Sequence, residues 1–269
     1  SNDPELGLAF AGLADLFVND AFGTAHRAHA SNVGVAAHLD AYAGELLEME
    51  VTNLSAVADN PERPLVVVLG GAKVSDKIGV IDRFIEIADQ VLIGGAMCFP
   101  FYRALGIGTG DSLVEEDGIP LAAEAMEKAE GSSCELCLPA DLMLGREFSA
   151  ETETLEAEGT EVPDGWMGLD IGPASAADYA RRIAGAGTVL WNGPMGAFEL
   201  GPFEAGTRTV AEAVAGSPAF TVVGGGDSVA ALVQFGLTEA VDWASTGGGA
   251  SLELLEGRDL PGVEALNEA

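Results

Sequence analysis

Two lysines, Lys73 and Lys77, stand in the stretch Gly70-Gly71-Ala72-Lys73-Val74-Ser75-Asp76-Lys77, where their ammonium groups could neutralise a chain of phosphates. Like charges at that spacing on a helix repel, so an anion held between them is the natural explanation of the pair. The alternative is two solvated surface lysines. It is weakened by a census: the chain has only one other lysine, Lys128, against 43 acidic side chains. The stretch is not a G-x-x-x-x-G-K-[ST] loop. It sets both ammonium groups at a strand end and first helical turn, where free backbone amides already favour anions.

Three further clusters carry related chemistry. Gly224-Gly225-Gly226-Asp227-Ser228 offers close backbone approach and one carboxylate at a helix start. Asp227 could be a plain N-cap, but beside phosphates it is a candidate Mg²⁺ ligand. Thr246-Gly247-Gly248-Gly249-Ala250-Ser251 is a second helix start free of side-chain bulk, suited to a transferring phosphoryl group. Asn192-Gly193-Pro194-Met195-Gly196-Ala197-Phe198-Glu199 is an unusual turn whose Glu199 is either one more exposed acid or an acceptor for ribose hydroxyls. Each glycine cluster alone is a weak signal; together with the lysine pair they form a strong one.

The elements that must position these residues follow from periodicity. Apolar runs at 65–69, 91–93, 136–138, 188–191, 220–223 and 241–244 each lead into a Gly or Pro turn, and most then into a helical stretch, as at 76–88, 99–105, 202–215, 227–235 and 250–256. Strands of this kind alternating with helices predict a parallel sheet covered on both faces, with every glycine turn along its carboxyl edge. Residues 1–42 differ: a helix near 6–13 and one short strand at 16–18 precede Asn19-Asp20-Ala21-Phe22-Gly23-Thr24-Ala25-His26-Arg27-Ala28-His29. Residues 43–58 read as one amphipathic helix, and 149–165 as a solvated acidic excursion.

Composition bounds the rest. A chain of 269 residues with 48% hydrophobic side chains fills a core easily, which argues against an acidic disordered segment. The net charge of −31 excludes nucleic-acid backbone binding as a default. Dispersed over helix faces, it suits a protein in molar salt, where the Debye length is about 3 Å. Cys134 and Cys137 form a lone C-x-x-C with no second pair, and read as small buried residues rather than a zinc or redox site. No apolar run approaches the ~20 residues of a membrane span and no signal peptide is evident, so the expectation is a soluble, cytoplasmic protein without membrane or nucleic-acid partners.

The blocks 18–31, 67–78, 92–97, 165–173, 189–199, 223–228 and 245–266 resemble, in order, those of the phosphoglycerate kinase family, and the acidity suggests a haloarchaeal member. The resemblance implies an α/β fold: a Rossmann-like parallel sheet with helices on both faces as the nucleotide-binding C-terminal domain, plus the tail end of a second α/β domain. The implied division is 1–42 as the remnant of a phosphoglycerate-binding domain, 43–60 as an interdomain helix, 61–256 as the nucleotide-binding domain and 257–269 as a tail. The implied activity is reversible phosphoryl transfer between 1,3-bisphosphoglycerate and Mg-ADP, giving 3-phosphoglycerate and ATP, in a monomer.

By the same resemblance, Lys73 and Lys77 would contact the nucleotide and the transferring phosphate, Asp227 would hold the Mg²⁺-nucleotide, and Gly225, Gly226, Ser228 and Asn192 would surround its phosphates. Gly94, Gly95, Leu169 and Pro194 would line the adenine pocket and Glu199 would bind ribose. Gly248 and Gly249 would face the transferred group, and Arg27 would hold the phosphoglycerate phosphate. His26 and His29 are expected to be structural hydrogen-bonders. The family's D-F-N-x-P strand, its H-L-G-R-P-like turn and its further arginines have no counterpart in the sequence, so the front of the family pattern is expected to be missing. On that expectation the chain binds Mg-nucleotide but turns over slowly, with a nucleotide-binding fragment lacking catalytic competence as the alternative. A dehydrogenase is a weaker rival, because no G-x-G-x-x-G opens the first βα unit.

Overall fold

Short apolar runs bounded by glycine form the strands, and the amphipathic stretches between them form the helices. In chain order the computed structural model, which describes residues 2–267, begins with α1 (Pro4–Ala11), β1 (Phe17–Asn19), β2 (Ala41–Ala43) and α2 (Glu45–Asp59). There follow β3 (Leu65–Leu69), α3 (Ile78–Ile87), β4 (Gln90–Ile93), α4 (Cys98–Ala104), α5 (Gly118–Glu130) and β5 (Glu135–Cys137). Next come β6 (Leu142–Gly145), β7 (Thr154–Ala157), β8 (Met167–Ile171), α6 (Pro173–Ala184) and β9 (Thr188–Asn192). The chain continues through α7 (Ala205–Ala215), β10 (Phe220–Gly224), α8 (Gly226–Phe235), β11 (Trp243–Ala244), α9 (Gly249–Leu255) and α10 (Pro261–Asn267).

The chain divides into two units, Asn60–Ala244 and Ser1–Asp59 together with Ser245–Ala269. The larger unit is built on a six-stranded parallel sheet in the order β11-β10-β9-β3-β4-β5. Every residue of β3 and β9 is buried, which is why β3 reads as a continuous apolar run and β9 as one through Val189–Trp191. From β3 the chain adds β4 and β5 to one side, then returns to place β9, β10 and β11 on the other. The strand order therefore reverses between β3 and β9, and a parallel sheet opens a crevice at the carboxyl ends of two such strands. The core on this sheet includes Val66, Val68, Trp191, Val210 and Val223. A smaller antiparallel sheet, β7-β6-β8, completes the unit.

In the other unit β1 and β2 pair in parallel. Glu50 on α2 is wholly buried, and its carboxylate accepts from the Thr246 amide at 2.9 Å and the Thr246 hydroxyl at 3.2 Å. Asn19 Nδ2 donates to the Gly262 carbonyl at 3.1 Å, and the Gly262 amide donates to the Ala25 carbonyl. These long-range bonds explain why Thr246 and Gly262, with the segments around them, group with α2 and with Asn19 and Ala25. The grouping differs from the expected boundary at 256.

Other differences have local causes. The acidic excursion contains β7, whose outward residues are exposed while its backbone pairs with β6. The expected lone strand near 16–18 has a partner, β2, at the point where the long helix was expected to begin. Ala-Tyr-Ala carries almost no strand signal, so its state is set by pairing.

Candidate active site

The carboxyl ends of β3 and β9 are joined backbone to backbone. The Gly70 amide donates to the Asn192 carbonyl at 3.0 Å, and the Gly71 amide donates to the Pro194 carbonyl at 3.0 Å. Such closeness needs glycine: a Cβ at Gly193, whose φ is +97°, would overlap the Gly70 carbonyl. Lys77 spans the same junction, its Nζ donating to the Asn192 carbonyl at 3.2 Å and to the Asn192 side-chain oxygen. Burial pulls its pKa down from 10.5 to about 8, against the carboxylates of Asp227 and Asp76, which raise it. Lys73 is exposed on the same turn.

Asn192 is 1% exposed, and its Nδ2 has no hydrogen-bond partner although it is buried. That nitrogen faces the turn after β10, 3.3 Å from where a Cβ at Gly225 would stand. A buried amide donor left without an acceptor costs about 1–3 kcal/mol. Placed beside a lysine and a glycine turn, it is suited to meet an anion's oxygen.

The same crevice continues into a cavity of about 740 Å³, within the range of small-ligand sites. Gly71, Ala72 and Asp227 line one part of it, Asp111, Ser112 and Asp170 add further polar groups, and Phe99, Leu113, Phe148, Leu169 and Met195 supply an apolar wall. Of the expected adenine-pocket residues, Gly95, Leu169 and Pro194 line the cavity. Gly94 does not; the space a Cβ would need there is filled by Met195. Glu199 is exposed and stands outside the lining. Gly225 and Gly226 open α8, with open space around Gly226. Ser228 is fully buried, and its hydroxyl accepts from the Gly193 amide, so its side chain clamps two turns together instead of facing outward.

Asp227 offers a single exposed carboxylate at the first turn of α8. No group of three or more His, Cys, Asp or Glu side chains able to hold a metal exists among the described residues. This donor set suits a Mg²⁺ that arrives coordinated by phosphate oxygens and keeps its waters, not a metal caged by protein.

Asp170, on β8, is 4% exposed. It accepts from the Gly206 amide at 2.7 Å and from its own neighbour's amide, Ile171, at 2.9 Å. Burial nevertheless lifts its pKa from 3.8 to about 8. The Ala197 amide donates to the Leu169 carbonyl at 2.8 Å, so β8 also steadies the turn that carries Pro194.

The remaining expected site residues belong to the smaller unit. Gly248 has φ +54° and open space around it, and a Cβ at Gly249 would stand 3.4 Å from His26 Nε2. His26 Nδ1 is buried without a partner. Arg27 is exposed and forms no ion pair among the described residues. Asn32 accepts from the His29 amide at 2.8 Å and donates to the Arg27 carbonyl at 2.9 Å, which fixes the backbone on either side.

Three contributors carry no motif. Phe148 is a lone aromatic in an acidic stretch, Leu113 follows no recognisable pattern, and Asp170 lies inside a strand interrupted by glycine.

A profile described as "Phosphoglycerate kinase" matches residues 1–258. The chain belongs to the phosphoglycerate kinase family. It is 54% identical over 272 residues to the phosphoglycerate kinase of Chloroflexus aggregans, spanning 100% of this chain and 68% of that one. With the phosphoglycerate kinase of Streptococcus uberis it shares 53% identity over 270 residues, 99% of this chain and 67% of the relative. Among solved structures, that of phosphoglycerate kinase from Coxiella burnetii superposes with a TM-score of 0.94 at 44% identity, covering 99% of this chain and 69% of the other. The phosphoglycerate kinase of Pyrococcus horikoshii gives 0.87 at 33% identity, with the same coverage.

Proposed function

We propose that the chain transfers a phosphoryl group reversibly between 1,3-bisphosphoglycerate and ADP, giving 3-phosphoglycerate and ATP, with the nucleotide held in the crevice between β3 and β9. The observation that carries this reading is the junction itself: a largely buried lysine and an unpartnered buried amide meet three glycine turns at the mouth of a cavity with an apolar wall. The base and ribose fit the apolar end, where Phe99, Leu113, Phe148 and Leu169 lie, and the phosphates fit the glycine end. Asn192 Nδ2 and the first amides of α8 donate to phosphate oxygens, and Lys77 exchanges its contact with Asn192 for the phosphate undergoing transfer. Lys73 supplies a second positive charge, and Glu199 is assigned to the ribose.

Asp227 would hold Mg²⁺, which would supply neutralisation of phosphate charge when bound with the nucleotide. Arg27 is assigned to the phosphate of the phosphoglycerate, and Gly248 and Gly249 to the transferred group. Positioning and charge neutralisation dominate in-line transfer of this kind. No general base is therefore required of His26 or His29. The larger unit is read as a nucleotide-binding domain and the smaller as a phosphoglycerate-binding part. The net charge of −31 supports a cytoplasmic monomer adapted to concentrated salt. No helix among the described residues is long and apolar enough to cross a membrane.

The test is a coupled assay in concentrated KCl with 3-phosphoglycerate and Mg-ATP. ADP production that needs 3-phosphoglycerate and is lost in Lys77→Ala supports the assignment. ADP production indifferent to 3-phosphoglycerate, or undiminished in that variant, refutes it.

A further inference from the structure

The turn that carries the lysines has no cap of its own. Lys77 occupies the N-cap position of α3 and makes no capping hydrogen bond, and only the Lys77 amide is satisfied locally, by the Val74 carbonyl at 2.9 Å. The missing acceptor comes from 40 residues away, on the loop before α5. Glu115 Oε2 accepts from the Ser75 amide at 3.1 Å, and Oε1 contacts the Ser75 hydroxyl.

From these contacts we infer that Glu115 is a positioning residue, holding the Lys73–Lys77 turn in register with the apolar wall of the cavity so that base and phosphates are gripped at a fixed separation. This inference rests on the nucleotide reading above.

Glu115 stands out from its acidic neighbours. Glu116 turns to Arg103 at 3.2 Å, and Asp117 makes no capping bond to α5. The Glu115 side chain folds back over the first residue of α5, where a Cβ at Gly118 would come within 2.8 Å of Oε2. Glycine there leaves the carboxylate its place. Although partial burial works to raise the Glu115 pKa, hydrogen bonds from the Ser75 hydroxyl and the Ser75 and Val74 amides, with the charge of Lys73, hold it below the usual value. The group is thus a carboxylate at neutral pH, bound to the turn it would steady.

The loop that carries Glu115 is pinned at its other end as well. Ser112 Oγ accepts from the Gly168 amide at 2.9 Å, and the Asp111 amide donates to the Trp166 carbonyl at 2.8 Å. Between those anchors lie Leu113 and Val114, both lining the cavity, as do Gly71 and Ala72 of the lysine turn. Glu115 therefore links the apolar lining to the lysine turn by one side chain. A carboxylate so close to Lys73 also lowers the local positive potential, which by itself would weaken anion binding. Its retention there fits a geometric role.

The sign of these two effects differs, which makes the inference testable with two variants of the full chain. Ser75→Ala removes the hydroxyl contact without changing charge and leaves the Ser75 amide bond in place; Glu115→Gln removes the negative charge and replaces one of the two acceptor oxygens by a donor. Calorimetric titration in concentrated KCl should show each variant binding Mg-ATP about tenfold more weakly, while the affinity for adenosine, followed by NMR, stays within about twofold. The double variant should bind no worse than the weaker single, because both changes act on one contact. Unchanged ATP affinity in both variants overturns the inference. So does tighter ATP binding by Glu115→Gln, which would make the carboxylate a competitor of phosphate. Equal losses for ATP and adenosine also overturn it, since they indicate a merely structural role. Wild type that binds no ATP removes the nucleotide reading and this inference with it, whereas wild type that binds beside indifferent variants removes the inference alone.

Discussion

Lys77→Met should make the protein more stable and a poorer nucleotide binder at once. The ammonium is charged at neutral pH although burial has brought its pKa from 10.5 to about 8. At about 1.4 kcal/mol for each tenfold, that difference amounts to about 3 kcal/mol of cost for keeping the charge in the folded chain. Removing the lysine leaves Asn192 Oδ1 without its donor, a loss of about 1–2 kcal/mol. The Asn192 carbonyl keeps the Gly70 amide at 3.0 Å and is not orphaned. The balance is a gain of about 1–2 kcal/mol, or a Tm higher by roughly 2–8 °C for a unit of this size.

The pH dependence gives a second signature of the same residue. Between about 8 and 10.5 the unfolded chain holds the Lys77 proton and the folded chain does not, so wild-type stability rises with pH across that window. Lys77→Met should lose that rise. Nucleotide affinity moves the other way: a lost charge-assisted contact to phosphate costs about 1.5–3 kcal/mol, roughly 10- to 150-fold. Thermal melts from pH 7 to 10 and calorimetric titration with Mg-ATP read both. A variant that is less stable, or one that binds ATP as wild type does, would refute the assignment of a functional, strained lysine at this junction.

Other perturbations address the surrounding parts. Gly193→Ala forces a side chain onto a backbone at φ +97° and against the Gly70 carbonyl, and should cost at least about 2 kcal/mol in denaturant melts, with nucleotide binding lost. Asp170 has a folded pKa of about 8 against 3.8, so its contribution to stability is complete below 3.8 and declines as pH rises towards 8. Asp170→Asn should flatten the stability profile across that window, and an unchanged profile would mean the carboxyl is ionised throughout. Asp227→Asn should abolish the advantage Mg²⁺ gives to ATP binding while leaving adenosine binding alone, as read by titration with and without the metal.

Much of the larger unit is legible in the sequence because buried parallel strands lack alternation. Leu65–Leu69 is apolar from end to end and Thr188–Asn192 is apolar through Val189–Trp191, and each stops at a glycine turn. What periodicity cannot convey is which strands are neighbours. The adjacency of β3 and β9, separated by more than a hundred residues, is a product of packing, and the site depends on it. Strand β8 was hidden because Met167-Gly168-Leu169-Asp170-Ile171 mixes glycine and a carboxylate into its core, and β7 because its outward face is acidic.

The lysine pair was legible through rarity alone: in a chain with three lysines, two within one turn are conspicuous. Glu115 was invisible for the opposite reason, being one acid among 43. Ser228 shows a different limit. Its position in a glycine-rich turn suggested an outward hydroxyl, yet the same glycines let two turns approach so closely that the hydroxyl is needed between them.

The central claim is that nucleotide phosphates are gripped where β3 and β9 diverge. Amide hydrogen exchange of the full chain with and without Mg-ATP tests it most directly. Exchange is expected to slow at residues 70–77, 192–195 and 224–228 when the nucleotide is present. Binding accompanied by protection elsewhere, with these three turns unchanged, would contradict it.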